Sequence, residues 1–252
     1  MKKAALGVAA VAATSLLEHP AVATANELIN NKTTNNMKKI MIIDGGPRRN
    51  MNTAAMLESF ANGAKEGGAE VKLVRLYDMD YKGCMSCLAC KIKDKAVNVC
   101  KFRDDLTPVL EEVAQADGLV MGSPIYFSEV TAQLRAFLER LIFPWLSYND
   151  YSLTAPKRIP VILTYTMNAN DEQAKGVYQS MGIIESCLNR AMGDVEHVDA
   201  HNTYQVKNYD RYELAGFSEE AKREYREQNW ENDLQRAYDA GHRMAEKILA
   251  NQ

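Results

Sequence analysis

The 252-residue chain has no apolar run approaching the ~18 residues a helix needs to cross a bilayer, so no membrane span is expected. It has no block of five or more basic residues, and its formal net charge is −3, which argues against a nucleic-acid partner. Histidine is scarce. His19, His197, His201 and His242 are scattered along the chain and read as structural or surface residues, with only His201 near the carboxyl end of an expected strand. Neither the Gly-x-Gly-x-x-Gly fingerprint of dinucleotide folds nor the Gly/Lys/Ser-Thr loop of nucleoside triphosphatases is present, which disfavours both classes. There is no internal repeat and no low-complexity block beyond the amino-terminal stretch.

That stretch differs from the rest. Lys2 and Lys3 precede a small apolar run from Ala4 to Leu17, followed by Pro20 and the small residues Ala21 to Ala25. Charge, apolar core and cleavage pattern stand in the order of a secretory signal, so residues 1–25 are expected to be a signal peptide and 26–37 a polar leader. The stretch lacks a twin-arginine pair, and general export is then the default. Under that reading the chain is exported or periplasmic. If Met37-Lys38-Lys39 is the true start, it is cytoplasmic.

From residue 38 onward, apolar runs alternate with helical patterns. Strands are expected at 40–43, 71–76, 118–122, 160–165 and 195–199, and helices at 53–65, 104–115, 130–143, 172–192 and 218–249. With 46% hydrophobic residues, the chain can bury a full core. The expected class is α/β: a doubly wound, five-stranded parallel sheet in the flavodoxin-like order 2-1-3-4-5, with helices on both faces. In that order a ligand sits at the carboxyl ends of strands one and three.

Both of those exits are chemically loaded. After the first strand, Gly45, Gly46 and Pro47 permit a tight turn. Arg48 can neutralise a phosphate, while Asn50, Asn52 and Thr53 can donate hydrogen bonds where the helix dipole begins. After the third strand, Ser123, Pro124 and Ile125 offer amides and apolar cover for a flat ring, and Tyr126 and Phe127 offer aromatic faces. Thr166, at the fourth-strand exit, belongs to a weaker third segment. The plainer readings are a capped Gly-Pro turn and core aromatics at a strand–helix junction.

Cys84, Cys87 and Cys90 stand at Cys-x2-Cys-x2-Cys spacing, and Cys100 follows after nine intervening residues. Four thiols on one loop can hold a four-iron cluster. Zinc, a disulfide and free redox-active thiols are the alternatives. Cys187 reads as a small apolar residue on a helix.

Residues 38–250 resemble the NADPH-dependent FMN reductase family of flavodoxin-like proteins, including its iron–sulfur flavoprotein branch. The resemblance rests on Gly45 to Thr53, Gly83 to Cys90, Cys100 to Asp105 and Gly122 to Phe127. It implies an NAD(P)H oxidoreductase with non-covalent FMN, passing electrons to a small acceptor such as a quinone, and a dimer or tetramer. An electron carrier with a 4Fe-4S cluster and a flavin-binding redox sensor are the rival functions. Where the family usually has Ser, this chain has Gly46, which removes one phosphate hydroxyl.

Overall fold

The computed structural model describes residues 37–93 and 98–251. The expected signal peptide and all but the last residue of the expected leader lie outside the described residues.

β1 (Lys39–Asp44) is an interior strand and almost wholly buried. The chain then runs through α1 (Asn52–Glu66), β2 (Glu70–Arg75), α2 (Leu106–Val113) and β3 (Gly118–Tyr126). A two-residue β4 (Glu129–Val130) and α3 (Ala132–Ile142) follow. β5 (Val161–Thr166), α4 (Asp171–Met192), β6 (Val195–His197) and α5 (Glu219–Ala250) complete the order. The parallel path is β2-β1-β3-β5-β6, which is the expected order 2-1-3-4-5 once β4 is set aside. β4 is a correction to the expected five strands. β3 runs on past Gly122 to Tyr126 and folds back antiparallel, pairing Ile125 with Val130 and Tyr126 with Glu129. Phe127 and Ser128 make the turn at φ +53° and +63°, the left-handed geometry of a tight hairpin. Two paired residues leave no periodic trace in a sequence, so this hairpin was not legible there.

Strand alternation sends side chains to two core layers. Met41, Ile43, Leu119, Met121 and Leu163 pack with Phe137 and Leu141 of α3 on one face. Ile40, Ile42, Val120 and Ile162 pack with Phe60 of α1 and Met244 of α5 on the other. Each such side chain contributes about 1.5–3 kcal/mol on full burial. α1 and α5 cross on paired glycines. A Cβ on Gly63 would stand 1.9 Å from the Tyr238 carbonyl oxygen, and one on Gly241 would stand 2.2 Å from that of Phe60. This close crossing fixes α5 against α1 and brings its amino-terminal half beside the start of α1. No described helix is long and apolar enough to cross a membrane.

Candidate functional site

The exits of β1 and β3 are neighbours because their strands are paired in register, with Asp44 opposite Gly122. Three further bonds lock the two turns together. Gly45 N donates to Gly122 O at 2.8 Å, Thr131 Oγ1 to Gly45 O at 2.7 Å, and Thr131 N to Ser123 Oγ at 3.0 Å. Between the turns lies a cleft. Gly46, Pro47, Arg48, Asn52 and Thr53 line one side, Pro124, Ile125 and Tyr126 the other, and Thr166 of β5 the floor.

The first turn of α1 presents unspent donors. Its cap residue, Met51, accepts no amide through its side chain, and the first turn has no acidic residue. By contrast, α3, α4 and α5 are capped by Thr131, Asn170 and Ser218, and α4 and α5 carry acidic residues in their first turns. An uncapped helix start concentrates partial positive charge and leaves backbone N–H groups without intrahelical partners. Thr53 Oγ1 meets Thr166 Oγ1 at 2.6 Å across the floor. Asn52 Nδ2 donates to Tyr204 O at 2.8 Å. The Arg48 guanidinium donates to Gln205 O, drawing the loop after β6 over the cleft.

Beneath the turn sits a buried ion pair. Asp44 is 1% exposed and accepts from Gly46 N at 2.7 Å and from Arg75 Nη1 at 2.5 Å. Burial pushes its carboxyl above the usual range, against the pull of the Gly46 amide and of Arg75. Gly46 therefore turns its own N–H inward. A Cβ there would stand 3.0 Å from Asp44 Oδ1 and 3.2 Å from Thr53 Cβ, so glycine is what lets the carboxylate close under the turn.

Three of the expected cleft residues stand apart from it. Asn50 lines a neighbouring pocket instead. Ser123 is fully buried, and its Oγ donates to Pro124 O at 2.7 Å while accepting from Thr131, so its hydroxyl is a loop brace. Phe127, at the hairpin tip, is fully exposed and lies outside the cleft lining. Asn168, in the weaker third segment with Thr166, also lines the cleft. Sequence reasoning missed Met51, Thr203, Tyr204 and Gln205, which line it too. Three of these follow β6 at the sheet's carboxyl end, and that position was the only available signal. Among the described residues, Asn168 Oδ1 is buried without a hydrogen-bond partner, and a bound donor would satisfy it.

The cysteine loop follows β2 and packs on α3. All five cysteines stand as free thiols, and the disulfide named as an alternative is not formed among them. Arg140 of α3 is buried inside the loop and donates all five of its N–H groups. Its Nε reaches Cys100 Sγ at 3.0 Å, its Nη1 reaches Lys82 O and Asp104 Oδ2, and its Nη2 reaches Phe102 O and Asp104 Oδ1. Burial works to raise the Asp104 carboxyl, but Arg140 and the backbone amides of Lys82 and Leu106 hold it below its ordinary value. Burial pushes the Cys90 thiol up, against the nearby Lys91. Cys87 is exposed. Among the described residues, no three His, Cys, Asp or Glu side chains gather as metal ligands. The thiols of Cys84, Cys87, Cys90 and Cys100 are the right donor type for a cluster, but as arranged they do not form its cage.

A separate polar group lies at the β6 edge, away from the cleft. His197 bridges Glu185 at 3.3 Å and Asp199 at 3.2 Å. Burial opposes its charge, yet the two carboxylates outweigh burial and push it up to about 9.

A family model described as NADPH-dependent FMN reductase matches residues 38–182. An iron–sulfur flavoprotein of Methanocaldococcus jannaschii is 34% identical over 40% of this chain and 51% of its own length. One from Archaeoglobus fulgidus is 31% identical over 64% of this chain and 74% of its own. The chain thus spans about half the length of the first of these relatives. Among solved structures, an NAD(P)H:quinone oxidoreductase from Methanothermobacter marburgensis superposes with a TM-score of 0.60 at 18% identity, over 82% of this chain and 98% of that one. An FMN-dependent NADH-azoreductase from Bacillus anthracis, solved in complex with FMN, does so with a TM-score of 0.57 at 15% identity, over 82% and 100%. At these identities the two structures share the fold. A family model that spans more than half of the sequence carries more weight: the chain belongs to the NADPH-dependent FMN reductase family.

Proposed function

We propose that this chain is an NAD(P)H oxidoreductase that holds FMN without a covalent bond and passes electrons to a small acceptor such as a quinone. One observation carries the reading: the turns leaving β1 and β3 are locked side by side over an uncapped helix start and enclose one cleft. Arg48, the Asn52 amide group, the Thr53 hydroxyl and the free N–H groups of α1 hold the phosphate. These are charge-assisted bonds, and each contributes about 1.5–3 kcal/mol. Pro124, Ile125 and Tyr126 cover the ring and exclude water, and Asn168 Oδ1 accepts a hydrogen bond from the ligand. The Asp44 carboxylate below is offset by Arg75, so the anion above it is not repelled. FMN supplies the reversible two-electron chemistry. The chain's residues bind and orient it, and none is needed as an acid or base.

NAD(P)H as donor and a homo-oligomeric assembly belong to the same reading. The experiment is to load the protein with FMN and follow absorbance near 450 nm on anaerobic addition of NADH and of NADPH. Bleaching by either one, reversed by a quinone, is expected. A bound flavin that neither donor bleaches contradicts the proposal.

A second reading adds a four-iron cluster at Cys84, Cys87, Cys90 and Cys100. It is supported by the similarity to iron–sulfur flavoproteins and by the four thiols on one loop. It requires the exposed Cys87 to turn inward and Cys100 to join it. A brown anaerobic preparation whose colour is lost in Cys87→Ala, with FMN retained, distinguishes it from a plain yellow one.

A further inference from the structure

A buried cation stands near the start of α5. Lys222 is 6% exposed, and its Nζ donates to Asn168 O at 2.9 Å and to Asn202 Oδ1, neither of them a carboxylate. The Phe217 ring centre lies 5.7 Å from the same nitrogen. The carboxylates of the first turn are engaged elsewhere: Glu219 accepts from Tyr204 OH at 3.0 Å, and Glu220 accepts from Arg223. Burial holds the Lys222 pKa below the usual lysine range. A buried ammonium at the positive end of a helix is unfavourable, so folding stability alone does not account for it. Lys222 and Asn202 also lie beyond residues 38–182, so the segment that the family model matches does not include this brace.

What Lys222 holds are the exits of β5 and β6, which run on together past the sheet. Thr166 bridges Ala200, Thr203 N donates to Met167 O at 2.9 Å, and Asn202 N donates to Ala169 O at 2.8 Å, with Asn202 in the left-handed region at φ +50°. Lys222 ties the same two segments from the α5 side. Asn168 on one and Thr203 on the other line the cleft. Because the ammonium takes the main-chain carbonyl of Asn168, the side-chain Oδ1 is left buried and, among the described residues, without a partner. That oxygen can only accept, so it suits a hydroxyl or an N–H and not a phosphate. In FMN those donors are the ribityl hydroxyls and the ring imide, and riboflavin carries both.

We propose that Lys222 is a positioning residue for the flavin: it fixes Asn168 so that Oδ1 receives a donor from the part of the ligand that FMN shares with riboflavin. This rests on the FMN reading above.

Flavin-free full-length protein is titrated calorimetrically with FMN and with riboflavin, alongside Lys222→Met, Asn168→Ala and the double variant. Met keeps the apolar stem of the lysine and removes its donors. Each single variant is expected to lose about fivefold to tenfold in affinity, by the same factor for both flavins. The double variant should lose no more than the weaker single one, because the two residues act through one contact. Urea unfolding of the flavin-free Lys222→Met protein is expected at no lower denaturant concentration than the parent's. If that variant unfolds early, Asn202→Gly, which suits the left-handed backbone and removes one acceptor of the ammonium, should show a shared loss for both flavins. A loss confined to FMN would make Lys222 a charge acting on the phosphate and overturn the positioning role. Losses that multiply in the double variant, or no loss in Lys222→Met, also overturn it and leave the FMN cleft standing. If the parent binds neither flavin, the cleft reading itself falls, and this inference with it.

Discussion

The loop leaving β1 and the cysteine loop leaving β2 emerge from adjacent strands at the same end of the sheet, and each is pinned by an arginine–aspartate pair. In the first, Arg75 holds Asp44 below the turn, and its Nε is left buried without a hydrogen bond, 3.7 Å from Asp78 Oδ2. The pair fixes the turn from beneath and leaves the α1 amides, Arg48 and Asn168 Oδ1 facing the cleft. In the second, Arg140 spends every donor inside the loop, on Asp104, two carbonyls and the Cys100 sulfur. One loop is built by strand pairing and keeps polar capacity for a ligand. The other satisfies its own polar groups from within. A site formed by backbone topology is in place before its ligand arrives, whereas a thiolate cage is completed by the metal it binds.

The strongest way to break this contrast is Arg140→Met. Removing the guanidinium strands Asp104 in a largely buried place and should cost about 3–5 kcal/mol in urea unfolding. Cys100 should become reactive to a thiol reagent, while FMN affinity stays within about twofold. Equal loss of FMN binding would mean that the two loops are one structural unit. Next in size is Arg48→Ala. If Arg48 holds phosphate, FMN affinity falls about tenfold to a hundredfold and riboflavin affinity does not change, because one charge-assisted contact is gone.

The sequence exposed these two loops unequally. The strand runs around Ile42 and Val120 and the Gly45-Gly46-Pro47 turn gave the sheet order and the place of the cleft, because period-two burial and helix starts are local properties. Thr203, Tyr204 and Gln205 were not legible, since they reach the cleft from the other end of the chain by an irregular loop with no periodicity. The cysteine spacing was plain, but nothing near it announced that Arg140, forty residues beyond Cys100, would fill the loop's interior. The Ser123 hydroxyl braces the loop, a role that depends on where Thr131 lies in space.

A smaller effect sharpens the comparison from a third region. His197 is held charged by Glu185 and Asp199 up to about pH 9, above its unfolded value near 6.5. Its contribution is therefore complete below about pH 6.5 and is lost as pH rises through 9. After allowance for partial exposure this amounts to about 2 kcal/mol. Thermal melts at pH 6 and pH 9.5 should show the loss, and His197→Gln should abolish most of the difference. Because this group touches neither loop, the loss should be the same with and without FMN. The smallest effect belongs to Phe127→Ala. The ring stands in solvent at the hairpin tip, so chemical denaturation should shift by less than about 0.5 kcal/mol, and FMN affinity should be unchanged.

The most direct test is a pair of calorimetric titrations of the flavin-free protein, one with FMN and one with riboflavin. A cleft built on the α1 start and Arg48 predicts one FMN per chain, bound at least tenfold more tightly than riboflavin, with the difference collapsing in Arg48→Ala. No FMN uptake, or riboflavin binding equal to FMN, would contradict it.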